Sequence, residues 1–449
     1  MMVSRARVGS VACAAVAVGL LARGYQLPDS KVRLRGVFWV MNWICDVTGR
    51  MQALDVGRLS ALHEEVLAAE RRAFDESAAS EDAKRRLFAI QVAGVDAEGN
   101  RFTPLGRALF RQDLERRLRR RLRLADALAS ADAPGRRAVV APVVIVGLPR
   151  TGSTLLHRLL AVDPASRSPR YWELSHDAED VSPATDPDAN DARAEAVEAG
   201  FRKLSLLSPN GLEEFFKFHK VDARDIEEVT PMLRRYFFDM ETALLAPDAV
   251  AARNAWLRSR DVDRTFLVDH LRRWLEVQSG PEAACWLLKS PALTALLPEV
   301  LRVFPDAVVV FTSRDPKRVA PSLCGLNEVA GSVKYRGGGG GGARIGDAVL
   351  GRLAAYADGQ RAFVAENPGR ALLLDYADLV RDPVGAVRRV YEHAGKHLAP
   401  DVERAMERHV AENRQHAHGK PAYAPEQYAL DDADIDRRFA DYAPFHTPA

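Results

Sequence analysis

Apolar and polar positions change period along this chain, and the changes sort it into helices and strands. From Leu59 to about Ala131 apolar residues recur at helical spacing, and Leu114, Leu118 and Leu122 stripe one side of the basic run Arg116 to Arg123. That pattern predicts an amphipathic helix with a solvated basic face. Asp132 to Arg137 then breaks the period as a polar linker. Val143 to Val146 are apolar throughout, as a strand buried on both faces of a parallel sheet requires, and Leu155 to Val162 return to helical spacing. Trp286 to Leu288, Val308 to Phe311 and Ala371 to Leu374 repeat the strand pattern. Helical stretches follow at Leu293 to Leu301 and at Asp378 to Gly395, the latter interrupted near Arg381-Asp382-Pro383. The alternation predicts an α/β fold, a parallel sheet flanked by helices. Residues 1–36 form an apolar N-terminal segment, 37–138 a helical region, and 139–449 the α/β domain, with a largely helical insertion at about 193–278 capping the sheet.

The chemistry starts where the first strand ends, in Gly147-Leu148-Pro149-Arg150-Thr151-Gly152-Ser153-Thr154. A strand-to-helix loop of this kind turns backbone N–H groups toward an anion, and the helix N-terminus adds partial positive charge. The glycine spacing matches the first half of a G-x-x-x-x-G-K-[ST] phosphate loop, so the core is P-loop-like, but Ser153 holds the lysine position. A nucleotide kinase would need that lysine on its terminal phosphates, and the only cation in the loop is Arg150. Lys289, ending the second strand pattern, and Arg314, ending the third, fall at the same carboxyl edge of the sheet, where ligands of such folds bind.

Pro149 to Thr154 resembles the 5'-phosphosulfate loop of sulfotransferases, which use 3'-phosphoadenosine 5'-phosphosulfate (PAPS). The arginine after the proline is most similar to the tyrosylprotein type and its large bacterial relatives. The stretch from Trp286 through Arg314 to Ser322 resembles the segment whose arginine and serine hold the 3'-phosphate, and Tyr376-Ala377-Asp378-Leu379 resembles the family's Y-E-D-L segment. The resemblance spans roughly 140–442. It implies that Pro149, Arg150, Thr151, Gly152, Ser153 and Thr154 hold the phosphosulfate and that Arg314 and Ser322 hold the 3'-phosphate. Arg150 and Lys289 would then stabilise the transition state. Ser290 replaces the aspartate that follows the lysine in the tyrosylprotein type. Glu173, in Tyr171-Trp172-Glu173-Leu174, lies at the distance from the loop at which that family carries its catalytic base. His219 is the second candidate base, and Glu227 and Glu228 resemble a glutamate of the same acceptor-side region. His157, on the helix after the loop, is expected to pack or face solvent. Near the C-terminus Gly419 and Lys420 resemble a basic loop that closes over the nucleotide. The expected activity is sulfuryl transfer from PAPS to a hydroxyl or amine, releasing 3',5'-ADP. A P-loop nucleotide kinase and a catalytically silent nucleotide-binding protein are the alternatives.

Composition narrows the partners. A net charge of +2 over 449 residues argues against a general nucleic-acid binder, and four scattered cysteines imply no disulfide framework. His416 and His418 lack further donors at ligand spacing, so no metal is expected. The acceptor is expected to be a small molecule, glycan or lipid. Residues 8–22 are uncharged and mostly apolar between flanking arginines, open to reading as a signal peptide, a somewhat short membrane anchor or a docked helix. Arg23, Lys31, Arg33 and Arg35 outnumber Arg5 and Arg7, so any anchor is expected to leave the catalytic part cytoplasmic. The glycine run Gly337 to Gly342 is a flexible loop tip or a mobile lid.

Overall fold

The computed structural model describes residues 55–445, leaving out 75, 98–101, 130–137, 176–186, 208–212, 239–251, 254, 258, 260, 280–284, 333, 336–340 and 414–423. The N-terminal apolar segment, the His416/His418 pair, the Gly419-Lys420 loop and most of the glycine run lie outside the described residues. No described helix is long and apolar enough to cross a membrane.

Three helices open the described chain: α1 (Val56–Phe74), α2 (Ala78–Ala97) and α3 (Pro104–Ala129). On α3 the expected solvated basic face is corrected, because Arg117 and Arg121 are only 3% and 1% exposed. They fall three and seven residues after Leu114, on the inward stripe, and a buried guanidinium must be paired. Glu70 of α1 does this for Arg121, accepting from Nε and Nη2 at 2.8 and 2.9 Å. It also accepts from Lys84 Nζ at 2.8 Å and from the Tyr236 hydroxyl at 2.7 Å. Burial pushes the Glu70 carboxyl up, but Arg121 and Lys84 outweigh it and hold the group ionised. The helical layer is thereby pinned to the segment that carries Tyr236.

Strand β1 (Val143–Gly147) is buried along its whole length and runs into α4 (Ser153–Leu160). The short edge strand β2 (Ser166–Arg167) follows, then α5 (Tyr171–Ser175), α6 (Pro187–Leu207), α7 (Glu213–Phe218), α8 (Thr230–Arg234) and α9 (Thr265–Gln278). The chain re-enters the sheet as β3 (Cys285–Lys289), continues through α10 (Leu297–Val303) to β4 (Val308–Ser313), and leaves along α11 (Pro316–Gly331) and α12 (Gly342–Glu366). The last strand, β5 (Ala371–Asp375), leads to α13 (Tyr376–Arg381), α14 (Pro383–His393), α15 (Pro400–Glu412) and α16 (Asp432–Arg438).

The five strands are ordered β2-β3-β1-β4-β5 and every pair is parallel. This is the α/β architecture the hydrophobic pattern predicts, with apolar clusters on both sheet faces. Val144, Val309 and Phe311 pack on one side, and Ile145, Val310 and Leu374 on the other. A parallel register puts all strand ends on one edge: Gly147 lies beside Thr312, and Ile145 beside Lys289. Pro383 ends the α13 turn and starts α14, as the Arg381-Asp382-Pro383 break predicts, with Asp382 accepting from the Gly385 N–H at 2.8 Å.

Candidate active site

Gly147, at the end of β1, has φ +113°, and a Cβ there would lie 2.4 Å from the Thr312 carbonyl oxygen. Only glycine lets the chain leave the strand this close to β4. Arg150 (φ +66°) and Gly152 (φ +83°) are also left-handed, so the backbone turns sharply three times before α4 begins. Among the described residues the N–H groups of Gly152, Ser153 and Thr154 donate to no protein acceptor. These three donors at a helix N-terminus suit a phosphate or sulfate group. Thr151 faces the protein rather than the anion. Its hydroxyl is buried, donating to the Leu148 carbonyl at 2.7 Å and meeting the Thr312 hydroxyl at 2.6 Å, so it ties the loop to β4.

Residues far apart in sequence close around this loop. Arg150 donates from Nε to Ser322 Oγ (3.2 Å) and from Nη1 to the Phe218 carbonyl (2.9 Å). Arg314, just past β4, donates from Nη1 to the Arg150 carbonyl (3.2 Å), and its guanidinium stacks 3.9 Å above the Tyr376 ring. Tyr376 also abuts Gly152, where a Cβ would lie 3.1 Å from its Cδ2 and 2.9 Å from Leu379 Cδ2. Arg150 and the Arg314/Ser322 pair, singled out from two segments of the sequence, thus form one cluster. Asp315 is turned away from Arg314, capping α11 by accepting from the Lys317 N–H at 2.8 Å.

Lys289 is 5% exposed, and its Nζ donates to Glu228 Oε2 at 2.6 Å. Beside it, Glu227 meets His219 Nε2 through Oε2 at 3.2 Å, accepts the Glu228 N–H through Oε1 at 2.8 Å, and donates its own N–H to the Pro169 carbonyl at 2.8 Å. Burial pushes the Glu227 carboxyl up, but His219, Lys289 and the Glu228 amide together hold it below the ordinary carboxylate range. His157 is buried and bonded to Ser168 Oγ at 2.6 Å; burial, reinforced by Lys289, lowers its pKa to about 3, so it stays neutral.

Glu173, the base expected from sequence, is bonded to other partners. Its Oε2 accepts the Arg170 N–H at 2.7 Å and its Oε1 accepts from Arg167 Nη2 at 3.1 Å. Helix α5 is a single turn held at the sheet edge by Trp172 N–H bonding to the Ala223 carbonyl (2.9 Å), and Glu173 closes its N-terminus. Sequence reading left Glu228 without a role and missed Thr230. Lys289, the partner of Glu228, lies 61 residues from it, and Ser290, which Thr230 meets, lies 60 residues from Thr230, so no local spacing reveals either pairing.

Residues 142–401, more than half of the chain, match the family described as Sulfotransferase family. The omega-hydroxy-beta-dihydromenaquinone-9 sulfotransferases Stf3 of Mycobacterium bovis and Mycobacterium tuberculosis are each 27% identical over 268 residues, 57% of this chain and 62% of their own length. The chain therefore spans less than two thirds of these relatives. Sulfotransferase STF9 from Mycobacterium avium superposes with a TM-score of 0.67 at 25% identity, covering 86% of this chain and 95% of that one. For sulfotransferase STF1 from Mycobacterium tuberculosis the likeness is one of fold, with TM-score 0.66, 24% identity, and 84% and 98% of the two chains covered. With its glycine-bracketed loop, its second arginine and serine and its parallel sheet, this chain belongs to the sulfotransferase family.

Proposed function

We propose that the protein transfers a sulfuryl group from PAPS to a hydroxyl or amine of a small acceptor and releases 3',5'-ADP. The observation that carries this reading is the meeting of Arg150, Arg314 and Ser322, which sets a second anion-binding element against the phosphosulfate loop. The amides of the Pro149 to Thr154 loop bind the 5'-phosphosulfate, with Gly152 and Ser153 opening the helix dipole onto it. Arg314 and Ser322 bind the 3'-phosphate, the guanidinium being held flat by Tyr376. A kinase reading is disfavoured by Ser153, which supplies no cation where a γ-phosphate needs one.

For the chemistry, Arg150 and Lys289 take up the negative charge that develops on the phosphate oxygen as its bond to sulfur breaks. His219 is the base in this reading. With Nε2–H held by ionised Glu227, its Nδ1 receives the acceptor proton while the acceptor oxygen or nitrogen bonds to sulfur. Phe215 stands edge-on to His219 with ring centroids 6.0 Å apart, and Phe216 lies beside it; both are half-buried. That surface favours an apolar acceptor presenting one hydroxyl, in keeping with the hydroxylated quinone named for the Stf3 relatives. Because PAPS is made in the cytosol, the catalytic part belongs on that side of any membrane.

Thermal shift separates the readings: 3',5'-ADP is expected to raise the melting temperature where ATP with magnesium does not. Sulfuryl transfer from radiolabelled PAPS to pooled apolar alcohols and phenols is then expected in the intact protein. No transfer to any pooled acceptor, despite 3',5'-ADP binding, would favour a silent nucleotide-binding protein.

A further inference from the structure

Lys289 is held by a closed ring of hydrogen bonds that no stretch of sequence displays. Its Nζ donates to Glu228 Oε2 at 2.6 Å, Thr230 Oγ1 donates to Glu228 Oε1 at 2.7 Å, and Thr230 Oγ1 meets Ser290 Oγ at 2.8 Å. Ser290 follows Lys289 in the chain, and the Val229 N–H bonds to the Lys289 carbonyl at 2.9 Å, so backbone and side chains both lock the 228–230 segment to the end of β3. Ser290 Oγ also accepts the Ala292 N–H at 3.2 Å, which fixes its rotamer. A lysine ammonium on a four-carbon stem has many rotamers of similar energy, and a buried one loses that freedom only if something directs it.

We infer that Glu228 is the positioning residue of Lys289, acting with Thr230 and Ser290. This rests on the catalytic role given to Lys289 above and adds how that lysine is aimed. The carboxylate does two opposing things. It fixes the ammonium at one place, which lowers the cost of organising the transition state, and it competes with the anionic donor for the same charge. Removing it therefore produces a crossed signature: tighter nucleotide, slower turnover.

The test measures 3',5'-ADP affinity by calorimetry and kcat by radiolabelled sulfuryl transfer in the full chain. Glu228→Ala is expected to lower kcat by about 10- to 100-fold while 3',5'-ADP binds at least as tightly as in the parent. Glu228→Gln, which keeps an acceptor for the ammonium, is expected to recover part of the rate. If Glu228→Ala does not fold, Thr230→Val tests the same ring with both charges kept, and Thr230→Ser is expected to restore it. In the double variant with Lys289→Ala, turnover is expected to equal that of Lys289→Ala alone, since a residue acting only through Lys289 adds nothing once Lys289 is gone. Unchanged kcat in Glu228→Ala, weaker nucleotide binding, or multiplied losses in the double variant would overturn the inference. Near-normal turnover in Lys289→Ala would instead remove Lys289 from the chemistry, and the inference with it.

Discussion

Arg150 Nε donates to Ser322 Oγ across 3.2 Å, although the two residues are 172 positions apart. The contact joins the loop after β1 to the second turn of α11. Two loops built on separate crossovers thereby become one surface, and because Arg314 bonds to the Arg150 carbonyl, the backbone of one is held by the side chain of the other.

Arg150 occupies a left-handed backbone position and spreads its guanidinium between Ser322 and the Phe218 carbonyl. Arg150→Ala is expected to lower kcat by about 10² to 10³, with a much smaller change in 3',5'-ADP affinity. Single-turnover transfer at saturating PAPS checks it. An equal loss in affinity and kcat would make Arg150 a binding residue only.

The base is tested by a pair of variants. His219→Gln is expected to reduce kcat by about 10² to 10⁴ and leave 3',5'-ADP binding intact. Glu173→Gln weakens the α5 N-terminus and the Arg167 pair, so its effect is expected on melting temperature, with turnover within a few-fold of the parent. The reverse pattern would return the base role to Glu173.

Gly152 has no room for a side chain, since a Cβ would sit 2.9 Å from Leu379 and 3.1 Å from Tyr376 at φ +83°. Gly152→Ala is expected to cost about 1 to 2 kcal/mol in backbone strain and to displace Tyr376, the ring under Arg314. Chemical denaturation and 3',5'-ADP calorimetry on the same sample should both register the change; a variant with parental stability and affinity would contradict the packing.

Acid should weaken the fold through its buried histidines. Burial, then Lys289, lowers His157 from 6.5 to about 3, and burial lowers His63 to about 2. A histidine kept neutral by the fold binds its proton more readily when unfolded. Its contribution is complete above pH 6.5 and is lost progressively as pH falls toward 3. Melting temperature is expected to drop between pH 7 and pH 4, and His157→Gln should make that slope shallower while lowering stability at neutral pH. An unaltered slope would mean that His157 is protonated in the folded protein.

Period and turn chemistry were enough to read β1, β3, β4 and β5, the α13/α14 break and the glycine-bracketed turn after β1, because each depends on neighbours in sequence. Strand β2 has only two residues, Ser166 and Arg167, too few to show alternation, and exists because the Cys285–Trp286 edge pairs with it. Buried charge was misread for a related reason. Arg121 looks like part of a solvated basic run until Glu70, 51 residues away, is seen to meet it. At the site, the glycines and the Arg314/Ser322 spacing were legible as local geometry. The Glu228, Thr230, Ser290 and Lys289 ring and the Glu227/His219 pair were not, since each depends on the long excursion between β2 and β3 folding back over the loop.

The central claim is that the loop after β1 and the Arg314/Ser322 pair hold opposite ends of one doubly phosphorylated adenosine. Calorimetry comparing 3',5'-ADP with 5'-AMP, in the parent and in Arg314→Ala, tests it most directly. The parent is expected to prefer 3',5'-ADP by about 2 to 5 kcal/mol, and Arg314→Ala to lose most of that preference while its 5'-AMP affinity stays near the parent's. Equal affinity of the parent for the two nucleotides, or a preference that survives in Arg314→Ala, would contradict it.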